Sequence, residues 1–356
     1  MHRKQINEKA CPLAIRVFTY EFATHSIRTN RSDVFCDRDA PGDDRLHQEV
    51  KPADKSGGFA NRREGSVSLR RLWRHALPRS HRRGSGESSR ARGSGAGHRR
   101  SRSGIYLLTG DIVYNGYDGN DWKVWDNETS IWRDKKIPVY PALGNHDLHG
   151  DETVALGNYF RRFPDLKNSR YYSVRAANAL ILVLDSALQE TGGPEGQWLA
   201  DKLDHVPSDV DFVFLMFHHP PYTSSSDAKM YGGGHSARTT EQVLAKMLEE
   251  RQAHARFRIV VFSGHVHNYE RHEHGGVTYF VSGGGGAHAY PIERAQADPF
   301  QSKQINYHYL LVEVDQQQLK VTMNRLDLST GTAVWTQPDS IKITVPAPAM
   351  AQSAGR

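Results

Sequence analysis

Four times in this chain an apolar run stops and Asp, Asn or His follows at once, and that repeated arrangement limits the fold more than any other feature. Residues 105–109 run into Gly110 and Asp111, with Tyr114 three positions on. Residues 137–143 run into Gly144, Asn145 and His146, and residues 211–217 into His218 and His219. Residues 257–262 run into Ser263, Gly264 and His265, with His267 next but one. Short apolar runs closed by glycine or proline read as buried strands. Between them, residues 152–163, 195–205 and 239–254 have the apolar spacing or punctuation of helices, and residues 171–174 and 179–184 read as a hairpin. Strands alternating with helices argue for α/β layers.

In open α/β sheets, groups just beyond the carboxyl ends of strands meet in one crevice. That geometry would gather Asp111, Tyr114, Asn145, His146, His218, His265 and His267. Singly, each has an ordinary reading as a turn former, a core histidine or a solvated loop residue. Four in series, each directly after a strand, do not. One carboxylate, one amide oxygen, one phenol and several imidazoles make a mixed oxygen and nitrogen set suited to transition ions. Two such ions roughly 3.5–4 Å apart can clamp the attacking and leaving oxygens of an in-line displacement.

The segments GDIVY, GNHD, FHHPPY and GHVHNYER, in this order, resemble the calcineurin-like metallophosphoesterases, and most closely the purple acid phosphatase branch. The resemblance covers about residues 104–345. It implies an α/β fold of four layers, a metallophosphoesterase sandwich with two facing sheets flanked by helices, that hydrolyses phosphate monoesters, with a phosphodiesterase on the same scaffold as the alternative. It also implies that Asp111 bridges two metal ions, that Asn145, His218 and His265 complete the second site, and that Tyr114 and His267 serve the first. The resemblance aligns His-x-Pro-x-Tyr and so implies His218, two residues before Pro220, rather than His219. His146 would sit near the phosphate and leaving group, and His235 is a further candidate for phosphate contact. The phenol of Tyr114 would favour Fe(III), beside Zn, Fe or Mn. The expected partner is a small phosphorylated substrate.

One part of the family pattern is missing. An earlier strand ending in an Asp-containing motif should precede Gly110 by some tens of residues, yet there is no Asp between Asp54 and Asp111. Residues 57–103 stand there instead, with thirteen Arg, no Lys and no Asp. Such a segment cannot bury enough apolar surface to order itself. It reads as an inert tail, as a basic arm, or as a GC-rich gene translated in another frame. Asp37 and Asp39 are the only substitutes with a strand-like lead-in. The expectation is therefore a sandwich lacking its first strand, with a disordered N-terminal segment, a surviving second metal site and weakened activity.

Composition follows the same division. Residues 1–103 carry 23 Lys and Arg against 11 Asp and Glu, whereas residues 104–356 carry 23 against 29. The net charge of +6 thus belongs to the N-terminal part alone. The chain divides into an irregular segment 1–103, a metallophosphoesterase domain 104–346 and a disordered tail 347–356. Almost no aromatic residues interleave the arginines, so nucleic acid is not the expected partner. The third functional reading, a non-catalytic basic-armed binding protein, would need that segment to hold phosphates electrostatically. Cys11 and Cys36 are too few for a disulfide framework or a thiolate site. No apolar run is long enough to span a membrane, and no signal peptide is visible at the N-terminus. Relatives are often exported, so the compartment stays open, as does the oligomeric state.

Overall fold

The protein was studied as a computed structural model, which describes residues 13–18, 104–189, 191–225, 235–327 and 332–345. Two mixed sheets face each other. The first contains β1 (Leu13–Phe18), β2 (Gly104–Leu108), β3 (Val139–Pro141), β10 (Tyr307–Asp315), β11 (Gln318–Asp327), β12 (Val334–Thr336) and β13 (Ser340–Thr344). Its order is β12-β11-β10-β1-β2-β3, with β13 also on β11. The second runs β4-β5-β6-β7-β9-β8, from β4 (Tyr172–Ala176), β5 (Ala179–Val183), β6 (Phe212–Met216), β7 (Arg258–Ser263), β8 (Tyr269–His274) and β9 (Val277–Ser282).

Three apolar clusters show why these layers hold. Ile15, Val17, Leu107, Ile181, Phe214, Phe262, Leu310 and Val312 pack between the sheets. Alternation along a strand sends the neighbouring residues to the opposite face. Phe18, Tyr106 and Leu108 thus meet Trp122, Trp125, Trp132 and Tyr159 from α1 (Gly119–Glu128), α2 (Ser130–Asp134) and α3 (Glu152–Arg162). On the far side, Leu182, Val213 and Val261 meet Leu199 and Leu203 of α4 (Pro194–Asp204) and Leu248 of α5 (Thr239–Gln252). The result is the four-layer α/β/β/α sandwich expected from the sequence. No helix among the described residues is long and apolar enough to cross a membrane.

The expected loss of the first strand is overturned. Leu13–Phe18 occupies the central place of its sheet, parallel to β2 (Ile15 opposite Ile105, Phe18 opposite Leu108) and antiparallel to β10 (Ile15 opposite Val312). Its six residues, interrupted by Arg16, are too few to show a period on their own. They become a strand because β2 and β10 each offer an edge and an apolar face. Burying Ile15, Val17 and Phe18 contributes roughly 1.5–3 kcal/mol apiece. The first sheet therefore draws on chain from both sides of residue 104. The rest of the N-terminal segment, including Asp37, Asp39 and residues 57–103, lies outside the described residues, as does the tail 347–356.

Candidate metal centre

The site is built where β2, β3, β6 and β7 end. β2 breaks at Gly110, whose φ of 94° suits glycine, and Asp111 follows with φ 51°, a left-handed conformation uncommon for a non-glycine residue. β3 breaks at Gly144, where a Cβ atom would lie 2.1 Å from Asp111 Oδ1. Only glycine lets the two turns come this close. His265, after β7, is also left-handed, with φ 65°. Such strain at residues gathered round one point is characteristic of functional sites. The Gly264 amide donates to the His218 carbonyl at 2.9 Å, tying the end of β7 to the end of β6.

His218 Nε2 is the hub. It lies 2.9 Å from Asp111 Oδ2, 3.1 Å from Asn145 Oδ1 and 3.1 Å from His265 Nδ1. His218 Nδ1 donates to the Thr109 carbonyl at 2.9 Å, which leaves Nε2 to present its lone pair to the others. Four lone-pair atoms thus converge, and one proton on His218 cannot serve the other three. A cation satisfies all four at once. The donors are oxygen and imidazole nitrogen, the set that suits zinc, iron or manganese. His218, His219 and His265 also form a group whose ligand atoms lie within 4.8 Å of one another. The residues present therefore fit a bound metal ion.

The electrostatics point the same way. Burial alone would raise the Asp111 carboxyl, but His218 beside it and the His146 amide at 2.9 Å hold it well below the usual carboxylate range. Burial would likewise lower His218, and the Asp111 carboxylate overrides it and raises it, so without a cation Nε2 favours a proton facing Asp111, and a bound metal would take that proton's place. His265 and His219 are pushed down by burial and by the neighbouring His218, so both stay neutral and able to donate lone pairs.

Other predicted residues take places around this hub. His146 donates from Nδ1 to the Tyr114 carbonyl at 2.7 Å, and its ring lies 5.0 Å from that of Tyr114. Tyr114 is 52% exposed, with its ring turned to His146 rather than among the atoms at His218 Nε2. The His235 ring is 4.0 Å from His265 and 5.6 Å from His267. His267 donates from Nδ1 to the His288 carbonyl at 3.1 Å and packs 5.2 Å from Tyr290. Asp111, Asn145, His218 and His265 thus converge closely, while Tyr114, His146, His235 and His267 form a rim.

Three supporting residues were not singled out by sequence reasoning. Asp147 is fully buried and accepts from the amides of Ile112 and Gly144 at 2.8 and 2.9 Å, joining the two ligand-bearing turns. Its place in GNHD was the available signal. Ser186 holds His219 Nδ1 at 2.8 Å. Asn268 fixes the turn after His267, its Oδ1 accepting from Asn306 Nδ2 at 2.6 Å and its Nδ2 donating to the Tyr290 carbonyl. The carboxyl end of β1 also borders the site, since Thr109 donates its amide to the Phe18 carbonyl at 2.8 Å. Glu21, the first carboxylate after Phe18 in the sequence, lies outside the described residues.

The model of the calcineurin-like phosphoesterase family matches residues 95–269, which hold all four ligand-bearing turns. Residues 95–269 thus match the calcineurin-like phosphoesterase domain, and the proteins that the chain is similar to include purple acid phosphatases. Purple acid phosphatase 1 of Ipomoea batatas is 26% identical to it over 188 residues, 47% of this chain and 36% of that protein. The Fe(3+)-Zn(2+) purple acid phosphatase 12 of Arabidopsis thaliana is 26% identical over 188 residues, covering 47% and 37%. A probable cyclic nucleotide phosphodiesterase of Psychrobacter arcticus is 24% identical over 187 residues, covering 50% and 62%. The phosphoesterase domain thus spans well under half the length of these plant relatives. Among solved structures, purple acid phosphatase PPD1 of yellow lupin has a TM-score of 0.51 at 17% identity, covering 67% of this chain and 46% of that one. GAP50 of Plasmodium has a TM-score of 0.53 at 13% identity, covering 96% and 91%. These two likenesses concern the fold.

Proposed function

We propose that this domain hydrolyses phosphate monoesters at a metal centre held by Asp111, Asn145, His218 and His265. The observation that supports the reading most is the convergence of Asp111, Asn145 and His265 on His218 Nε2. A cation bound there supplies positive charge against the phosphoryl oxygens and acidifies water to near pH 7. The protein's part is to fix the donors: Thr109 holds Nδ1 of His218, and the His146 amide and Gly144 hold Asp111 in place. His146 stands at the rim with its ring oriented by the Tyr114 carbonyl, in a position to contact a phosphoryl group or protonate the leaving alcohol. His235, stacked near His265, is a second candidate for that contact. Tyr114 and His267 are proposed to serve a first ion, with Fe(III) beside Zn, Fe or Mn as the favoured pair. The naming of the Arabidopsis relative as an Fe(3+)-Zn(2+) enzyme supports the pairing.

A phosphodiesterase is the second reading, favoured by the Psychrobacter relative, of whose length this chain covers the larger share. Metal analysis of the purified chain beside hydrolysis of phenyl phosphate and bis-phenyl phosphate tests both. Bound metal with faster cleavage of the monoester is the expected result. A metal-loaded chain that cleaves neither ester sinks the enzymatic reading, and faster cleavage of the bis-ester selects the second.

A further inference from the structure

Beside the metal centre, two loops are zipped together and carry exposed rings. The Gly116 amide donates to the His146 carbonyl at 2.9 Å, and the Tyr117 amide to the His149 carbonyl at 3.1 Å. The turn around Gly116 is held from below as well, its carbonyl accepting from Trp122 Nε1 at 2.8 Å and from Asn158 Nδ2 at 3.1 Å. Asn115 caps the turn through Oδ1, which accepts from the Tyr117 amide at 3.0 Å. Tyr117 packs across Gly150, where any Cβ atom would come within 2.4 Å of its own Cβ. Despite this rigid seating, Tyr117 is 52% exposed. With Tyr114 it makes up the aromatic members of the large apolar side chains left exposed among the described residues. His149 is exposed too, its ring 4.3 Å from that of His146, and His146 bonds directly to Asp111 through its amide.

Fixed aromatic surface at the mouth of a buried polar centre has a chemical use. Flat rings bind to aromatic side chains by offset or edge contacts, and a rigid platform loses little entropy in doing so. We propose that Tyr117 and His149, continuing outward from the Tyr114–His146 pair, form a stacking lip that favours phosphoesters whose alcohol part is flat and aromatic, such as aryl or nucleoside esters. The inference rests on the phosphoesterase reading above and adds the class of leaving group. An aliphatic ester would engage the metal centre equally through its phosphoryl group and gain nothing from the lip.

Phenylphosphonate and methylphosphonate, which carry no ester bond to cleave, separate the two contributions. Titrated calorimetrically into the metal-loaded full chain, phenylphosphonate binds about tenfold more tightly than methylphosphonate. Tyr117→Ala and His149→Ala each weaken phenylphosphonate about three- to tenfold, the range of one aromatic contact, and shift methylphosphonate less than twofold. Tyr117→Phe keeps the phenyl preference, and thermal melts of all variants check folding. Equal affinity for the two phosphonates, or equal weakening of both by Tyr117→Ala, overturns the stacking lip while leaving the phosphoesterase reading intact. Binding of neither one removes that reading and the lip with it.

Discussion

The two sides of the metal centre are made differently. On one side, Asp111, Asn145, His218 and His265 crowd within about one hydrogen-bond length of a single nitrogen, and Asp111 and His218 are buried. On the other, Tyr114, His235 and His267 make ring contacts of 4.0–5.6 Å. The first side rests on strand ends that are hydrogen-bonded to each other across both sheets. The second hangs on loops. Convergence from rigid elements puts donors at fixed separations, and loops leave room for a ligand or a second ion to decide them. The difference suggests that the two sides bind metal with very different strength.

Replacing the hub should produce the largest effect. His218→Ala removes the nitrogen shared by three other donors, and metal content by mass spectrometry should fall at least about 100-fold in affinity, with hydrolysis dropping to background. Retention of full metal occupancy would break the contrast between the sides. Next comes the strand that supports the site from the first sheet. Ile15→Ala leaves a cavity between the sheets and should cost about 2–5 kcal/mol in denaturant unfolding. A cost near zero would mean that Leu13–Phe18 does not form the central strand.

A smaller effect concerns pH. Burial pushes His308 down to about 4, while its Nδ1 donates to the Asn306 carbonyl at 2.8 Å and Ser282 Oγ meets its Nε2 at 3.0 Å. The folded value lies below the unfolded one, so the unfolded chain binds the proton first. Its contribution is therefore present above about pH 6.5 and is lost as pH falls toward 4, amounting to no more than about 3 kcal/mol. His308→Gln should flatten that part of the stability profile, measured by urea titrations between pH 7 and pH 4. The smallest effect belongs to the rim. Tyr114→Phe removes a phenol that is half exposed and apart from the hub, so at most the proposed first ion should be lost and the ion at His218 should be retained within about threefold of its wild-type affinity. A loss as large as that of His218→Ala would abolish the distinction between the two sides.

Much of this was legible in the chain itself. Asp111, Asn145, His218 and His265 each follow a local apolar run, and strand-then-turn grammar needs no distant information. Helices α3, α4 and α5 fall within a residue or two of where spacing placed them. Helix α1 escaped notice because its polar, tryptophan-containing stretch is a helix chiefly through packing of Trp122 and Trp125 on the first sheet. Strand β8, reading YERHEH, escaped because only its pairing with β9 makes a charged stretch extended.

The sequence by itself determined which residue types follow which strands and in what order. Side-chain chemistry and local backbone preference are properties of a few adjacent residues. Tertiary structure alone decided that Leu13–Phe18 enters the centre of a sheet, since its bonds to Thr109 span 91 positions of chain and depend on edges that local spelling does not contain. It also decided that His218, with Nδ1 held by Thr109, aims at Asp111 while His219 turns to Ser186. The resemblance preferred His218 by its place before Pro220, but the side-chain chemistry of two adjacent histidines does not separate them. Only the surrounding backbone carbonyls and hydroxyls, brought together from distant segments, fix which nitrogen faces the centre.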